Sequence, residues 1–579
     1  MATASPGQSI DHCCGLLQKG KSDEERFVGL LLASKLVVAP ADLRRVCDAA
    51  LPFVRRLVNS PPPPDTEGGG NPYRGLALSV LAGFVTDAEL LARTDLLSCA
   101  VAAGGSALGA DSGVSEEEAR DGAAVLEAAL RQPAGLAEAV RTRLLSSVLA
   151  RAAASGLDPP APAGDAPPDE ALAGPSRADL ACSLLAVASA SLCASAGTPL
   201  GEAIFSLSPP NAIRAELLAA AAPLARALAK SRDGATGSRL AALLAVLQAA
   251  EAASRSADAV PPLPPSSPLC EALRLGLGSL LSSRVQPAVR SDALRAASHA
   301  CSLLGPLWVL GASPLRRPSA LPPRAATGES IAPTAEATRH AAMAVGDGAL
   351  LSLLVQLCTV ELCMCLHDQP ADDVSEHVLA LLPACCSVLE EALFRLHADA
   401  AEEEEDEEAP YPSGSSSVGA TCWVDALSDE QLLSAQRAFQ SVAKAALDFV
   451  EAVRAEESAS ARAQPAAAGA PPHPLLPPVS RLLSAWMVQP SAFASMELYD
   501  RANAVLPTLQ AASQGEADAW AREMRSFERV PAAAPHLPPG GTPPTDETMA
   551  DLFAKMMGGA KGPEAETLLR ELQKERAAF

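Results

Sequence analysis

Cys358, Cys363, Cys365 and His367, followed by Cys385 and Cys386, place six potential metal ligands in one short stretch of the chain. Structural zinc needs four ligands set tetrahedrally, usually in pairs from two elements. On a helix, Cys363 and His367 stand four apart and share a face, whereas Cys358 falls off it. The spacing therefore favours small apolar core thiols over a metal site. Glu361 lies within the same apolar run. A buried carboxylate must be paired or protonated. Either Glu361 faces solvent, or it pairs with an arginine of the neighbouring helix and fixes the register of the two. No nucleophile elbow, P-loop, zincin motif or dinucleotide fingerprint occurs. The histidines fall mostly in loop-like contexts such as His473 and His536. A Cys/His dyad assembled from distant positions stays open, but nothing argues for one. No catalytic, cofactor or metal residue is assigned.

The elements that carry these residues read as helices. Ala and Leu dominate the 579 residues, and aromatics make up only 3%. Ala and Leu favour helices, whereas strands need β-branched and aromatic residues. Residues 348–367, GALLSLLVQLCTVELCMCLH, are short for a membrane span and hold Gln356 and Glu361 near the middle. A central carboxylate costs about 2.5–3.5 kcal/mol on insertion, so a helix buried among helices is expected there. The net charge of −23 excludes the basic face that phosphate binding requires. It also disfavours anionic membrane surfaces. The opening MATASPGQSIDHCCG has no basic region followed by an apolar one, so it does not read as a secretory signal. The 14 cysteines then read as reduced core residues of a cytoplasmic protein.

Proline and glycine punctuate the chain at 61–70, 158–175, 261–268, 313–333, 401–417, 464–478 and 531–544. Between the breaks lie stretches long enough for helices or helix pairs, the rhythm of an α-solenoid. The first repeat is the clearest. Ser22 and Glu25 form a capping box. The next helix carries Phe27, Leu30, Leu31 and Val38 on one face, and Val28, Leu32 and Leu36 on another. That pattern predicts burial on more than one side, so Leu31→Asp is expected to unfold this repeat. Further helices are expected after Pro40 and near Pro72. Glu402–Glu408 is a run of seven acidic residues. Such a block repels itself and reads as a solvated loop, serving either solubility or contact with a basic partner.

Several blocks resemble the neurochondrin family. They are residues 13–37 (CCGLLQKGKSDEERFVGLLLASKLV), residues 73–90 (YRGLALSVLAGFVTDAEL), and the later runs LGSLLSSRVQPAVRSDALRAASHACSLLGPLWVLG, GALLSLLVQLCTVELCMCLHD and RLLSAWMV. They fall in the family's order. The resemblance implies an armadillo-like helical fold without catalysis and a cytoplasmic regulator of signalling and neurite outgrowth, including calcium/calmodulin-dependent kinase phosphorylation. The last ninety or so residues depart from the family by being short-segmented, proline-broken and polar.

The expected organisation is an all-α, armadillo-like α-solenoid of helix pairs. Repeats span 8–400, an acidic, Ser-rich disordered loop 401–420, further repeats 421–528, and a Pro-rich linker with short amphipathic helices 529–579. In that tail, Met549, Leu552, Phe553 and Met556 recur at i, i+3, i+4 and i+7. They are the candidate protein-binding residues, either as a tethered helix-in-groove ligand or as a cap on the last repeat. The expected function is a scaffold with protein partners and neither nucleic acid nor stable membrane insertion. The alternatives are a membrane-trafficking adaptor, which should show a basic or amphipathic surface, and an enzyme of unrecognised helical fold.

Overall fold

Proline opens many of the helices as well as separating them. A computed structural model of the chain describes residues 6–36, 39–60, 72–109, 114–155, 175–195, 199–231, 235–255, 263–264, 266–310, 348–367, 374–408, 427–463, 473–487 and 496–513. The α-helices are α1 (Pro6–Lys19), α2 (Asp23–Leu36), α3 (Pro40–Val58), α4 (Pro72–Phe84), α5 (Thr94–Leu108), α6 (Glu116–Leu130) and α7 (Pro133–Arg141). Next come α8 (Ala150–Ser155), α9 (Arg177–Ser195), α10 (Pro199–Leu207), α11 (Pro210–Lys230), α12 (Ala235–Arg255), α13 (Pro268–Leu281) and α14 (Pro287–Leu304). The last are α15 (Ala349–His367), α16 (Glu376–Glu408), α17 (Asp429–Ala463), α18 (Leu476–Met487) and α19 (Met496–Ser513). Short 3-10 turns (Leu90–Ala92, Pro306–Val309) and a π segment (Leu145–Leu149) interrupt them. No strand occurs among the described residues, in keeping with the all-α expectation.

Pro40, Pro133, Pro210, Pro268 and Pro287 each sit in the first turn of a helix, where the missing N–H has no partner to lose. Pro52, Pro223, Pro383 and Pro507 lie inside helices. There the ring removes one hydrogen bond at a cost of about 3 kcal/mol, which packing must offset. Gly305, at φ 74°, ends α14 in a conformation that only glycine adopts readily.

The helices form two rows. In one, α4, α6, α9, α12, α14, α16 and α18 touch in succession. In the other, α1, α3, α5 and α7 lead through the π segment and α8 to α11, α13, α15 and α17. The principal contacts join helices that are near in the chain, the nearest-neighbour pattern of helical-repeat proteins. Gln356 Nε2 donates to Ser434 Oγ at 3.1 Å, and the Cys363 thiol meets the Ser441 carbonyl at 3.9 Å. The offset of 78 residues is the same for both pairs, so α15 and α17 run parallel. One close approach depends on size: a Cβ on Gly104 would lie 2.7 Å from the Gly122 carbonyl, so the missing side chain lets α5 and α6 meet.

Arginines tie the rows together by capping the carbonyl ends of other helices. The last carbonyls of a helix have no partner within it, and a cation there also meets the negative end of the helix dipole. Arg239, 2% exposed, donates from Nε to the Ala153 carbonyl in the last turn of α8 at 3.0 Å, and from Nη1 to Ser231 Oγ at 2.6 Å. Arg214 reaches the Leu303 carbonyl in the last turn of α14 at 3.2 Å. Arg274 holds the carbonyls of Trp308 and Leu310 at 2.9 and 2.7 Å. Arg177 holds those of Gly109 and Val114 at 3.3 and 2.9 Å.

Two expectations are corrected. Helix α2 is not buried on two sides: Leu30 is fully buried and Ala33 nearly so, while Val28 and Leu31 are each 49% exposed. Close seating of α1 on α2 at Gly29 selects the Leu30 face; a Cβ there would meet Leu17 at 3.0 Å. The acidic run Glu402–Glu408 continues α16 instead of opening a loop. Glu has high helix propensity, which here outweighs repulsion between neighbouring carboxylates. Residues 409–426 lie outside the described residues, as do Met549, Leu552, Phe553 and Met556.

Candidate functional site

Helix α3 carries two arginine doublets, Arg44–Arg45 and Arg55–Arg56. Eleven residues are about three helical turns, so the doublets stand one above the other. Each guanidinium finds an acceptor on a different element. Arg45 bonds Asp11 of α1 at 2.5 Å, Arg56 bonds Asp23 at the start of α2, and Arg55 donates to the Asp95 carbonyl of α5 at 3.0 Å. Arg44 pairs with Asp87 at 3.2 Å and with Glu89. Arg93 bridges Asp48 of α3 and, at 2.8 Å, Asp95.

Asp87 also accepts the backbone N–H groups of Glu89 and Leu90, both at 3.0 Å, and so caps the 3-10 turn. The hydrogen bond from Arg44, helped by the Leu90 N–H, holds its carboxyl below the usual carboxylate range. A depressed carboxyl contributes stability that is complete above its unfolded pKa of about 4 and lost as pH falls through the folded value. Acid below about pH 4 should therefore loosen the α3–α4 region. Asp87→Asn should remove part of that acid dependence, read by hydrogen exchange of α3 and α4 amides at pH 3 and pH 6. Equal acid sensitivity in both proteins would count against the assignment.

Between α1, α2 and α3 lies a cleft of about 400 Å³ lined by Leu17, Gln18, Arg26, Asp48, Ala49, Pro52, Phe53 and Arg56, within the size range of ligand sites. Its floor is apolar: Leu17, Ala49 and Phe53 are buried. Arg26 and Arg56 share one oxygen of Asp23, the former at 3.4 Å. The Arg56 guanidinium stands 5.1 Å from the centre of the Phe53 ring, a cation–π contact that orders it. Phe27 packs edge-on against Phe53 and Tyr73, with ring centres 5.8 and 4.8 Å apart. The Ser22 cap is present, with its hydroxyl accepting the Glu25 N–H at 3.3 Å. The Glu25 carboxylate returns to the Lys21 N–H at 2.7 Å, one residue earlier than a capping box places it.

The cysteine stretch resolves differently. Glu361 is 6% exposed and bonds Arg290 Nη2 of α14 at 2.7 Å, the inter-helix pair expected of a buried carboxylate there. The Cys358 thiol and burial raise the Cys385 thiol well above its ordinary value, and the nearby Glu361 adds to the shift. Cys363 faces α17 instead. Among the described residues no three His, Cys, Asp or Glu side chains converge as metal ligands. The described cysteines are free thiols. Burial pushes Cys47 and Cys301 up to about 12 and Cys13 and Cys182 to about 11, and it raises Cys386 as well. A protonated thiol is a poor nucleophile. Native iodoacetamide labelling at pH 8 should thus reach the half-buried Cys14, Cys193 and Cys363 first, and Cys358, Cys385 and Cys386 last. Mass spectrometry reads the order; early labelling of Cys385 would show that α15 and α16 separate in solution.

The second row also carries exposed large apolar side chains. Leu275 of α13, Val360 and Met364 of α15 and Leu433 of α17 are 45–54% exposed there. Among the described residues three helical stretches, Arg177–Ala194, Ala349–His367 and Glu376–Phe394, are long and apolar enough to cross a membrane by length and composition. About half of each is buried against other helices.

A family model described as Neurochondrin matches residues 4–99 and 215–414, about half of the chain. The first segment holds the α3 arginines and the cleft; the second holds α13, α15 and the Arg290–Glu361 pair. No curated protein matches the sequence. Among solved structures, a crystal structure of SYS-1 at 2.6 Å resolution aligns over 87% of this chain and 97% of its own, at 10% identity and a TM-score of 0.19. A score that low bears on neither the architecture nor the function.

Proposed function

Since this chain belongs to the neurochondrin family, we propose that it is a non-enzymatic cytoplasmic scaffold that binds partner proteins along its helical rows. The observation that carries this reading is the succession of large apolar side chains, Leu275, Val360, Met364 and Leu433, left open on consecutive helices of one row. Stacked helices offer partners an extended surface of this kind, and exposed apolar patches mark interaction sites. The scaffold, not the neuronal setting of the animal family members, is what carries over. Nucleic acid is not a fitting partner for a chain of net charge −23. Membrane insertion of α15 would have to strip Glu361 from Arg290, at the cost of a carboxylate in hydrocarbon.

Affinity purification of the full chain from its own cells tests the reading. Proteins held by the wild type should be depleted on a Leu275→Glu/Val360→Glu/Leu433→Glu variant whose melting is unchanged. If wild type and variant retain the same proteins, or neither enriches any, the row is not the partner surface.

A further inference from the structure

We infer that the cleft between α1, α2 and α3 binds a short peptide segment in which a carboxylate side chain stands beside a large apolar one. The inference deepens the scaffold reading by naming a second contact point and the chemistry it selects. Asp23 offers one oxygen to both Arg26 and Arg56. Two guanidiniums carry five N–H donors each, so most of their donors remain for another acceptor. Their side chains are 30% and 49% exposed, and both line the cleft. Two planar forks side by side match a carboxylate better than a lysine pair would. The Phe53 contact holds one fork in place before anything binds, which lowers the ordering cost. Asp48, the acidic residue in the lining, is held by Arg93.

The apolar half of the ligand follows from the floor. Pro52 is exposed, backed by the buried Leu17, Ala49 and Phe53, so an aliphatic or aromatic side chain laid on it loses water. Pro52 adds a polar element. It lies inside α3 and has no N–H, so the carbonyl four residues earlier, that of Asp48, lacks its helical donor. Both residues line the cleft, and a peptide N–H can supply the missing bond. Guanidinium donors, a backbone acceptor and an apolar floor together describe a peptide rather than a free anion.

The test uses the full chain and three fluorescein-labelled peptides followed by fluorescence anisotropy. The probes are Gly-Ser-Glu-Leu-Glu-Gly-Ser, the same peptide with both Glu replaced by Gln, and the same peptide with Leu replaced by Ser. The Glu/Leu peptide should bind at least about tenfold more tightly than either control, and more weakly as salt rises. Arg26→Gln/Arg56→Gln should abolish the difference, while Arg56→Lys, which keeps the charge but loses the fork, should fall between. Both arginines are partly exposed, so the variants should fold, and Arg56→Lys decides the question if the double variant does not. Indistinguishable binding of the three peptides, no binding of any, or wild-type selectivity in the variants overturns the inference. Partner capture that depends on Leu275, Val360 and Leu433 would survive that failure, which keeps the two readings separable.

Discussion

Leu30→Asp should unfold the N-terminal helices, while Leu31→Asp, one residue later, should leave melting almost unchanged. Leu30 is fully buried in the core that α1 and α2 share with α3; Leu31 is 49% exposed. A carboxylate placed at Leu30 would lose its hydration without gaining a partner, a change of several kcal/mol. At Leu31 it would stay in water, where substitutions shift stability by about 0.5 kcal/mol or less. The loss should be local, because stacked helices open from their ends. Hydrogen exchange should show protection lost first in α1–α3 and last in α11–α14. The aromatic contacts Phe27–Phe53 and Phe27–Tyr73 should go together, since all three rings meet at this end. Equal destabilisation by both variants would mean that α2 packs on two faces after all.

Arg290→Ala should destabilise the chain by about 3 kcal/mol, the low end of what breaking a buried pair costs. The low end applies because Arg290 keeps 31% of its side chain exposed, whereas Glu361 keeps 8%. Removing the arginine strands a carboxylate among Cys358, Cys385 and Leu362, all fully buried. Replacing both partners, Arg290→Met with Glu361→Met, removes the stranded charge and should return stability to near that of the wild type. The cycle of Arg290→Met, Glu361→Met and the double variant, read from denaturant midpoints, separates pairing from packing. A double variant as unstable as Arg290→Ala would show that the pair contributes more than its own charge balance.

The helical class was legible because composition and punctuation agree: Ala and Leu fill the segments and proline starts them. The partner of Glu361 was legible in kind, since an apolar helix leaves a carboxylate few alternatives, but not in identity. Arg290 lies 71 residues earlier, and nothing local marks it. The arginine caps were illegible for the same reason: each acceptor is a backbone carbonyl, which has no letter in the sequence. The α3 doublets did carry a signal, their spacing of eleven, which stacks them on one helix face. Leu31 misled because helical periodicity identifies apolar positions without saying which neighbour claims them. Gly29 decided that by letting α1 sit close on one side only.

The long-range ties have a consequence for anyone who would cut this protein into pieces. Ser98–Glu138, Arg177–Gly109, Arg239–Ala153, Arg214–Leu303, Arg274–Leu310 and Arg290–Glu361 each span a stretch of sequence. So do Gln356–Ser434, Arg481–Glu390 and Arg501–Asp448. Each stretch begins before the previous one ends, like roof tiles, from residue 98 to residue 501. Chain order makes the helices look removable one pair at a time, as beads from a string. The tiling forbids it: every truncation point inside that range separates a donor from its acceptor, and several would expose a carbonyl end that a distant arginine was covering. Arg45–Asp11, Arg56–Asp23, Arg44–Asp87 and Arg55–Asp95 tie the N-terminal helices in the same way, so expression fragments should be soluble when trimmed before residue 11 or after residue 501 and poorly behaved when divided between them. Insertions, deletions and shuffled copies should be tolerated at the tips of connecting segments, where no tie is lengthened beyond reach, and not as exchanges of whole helix pairs.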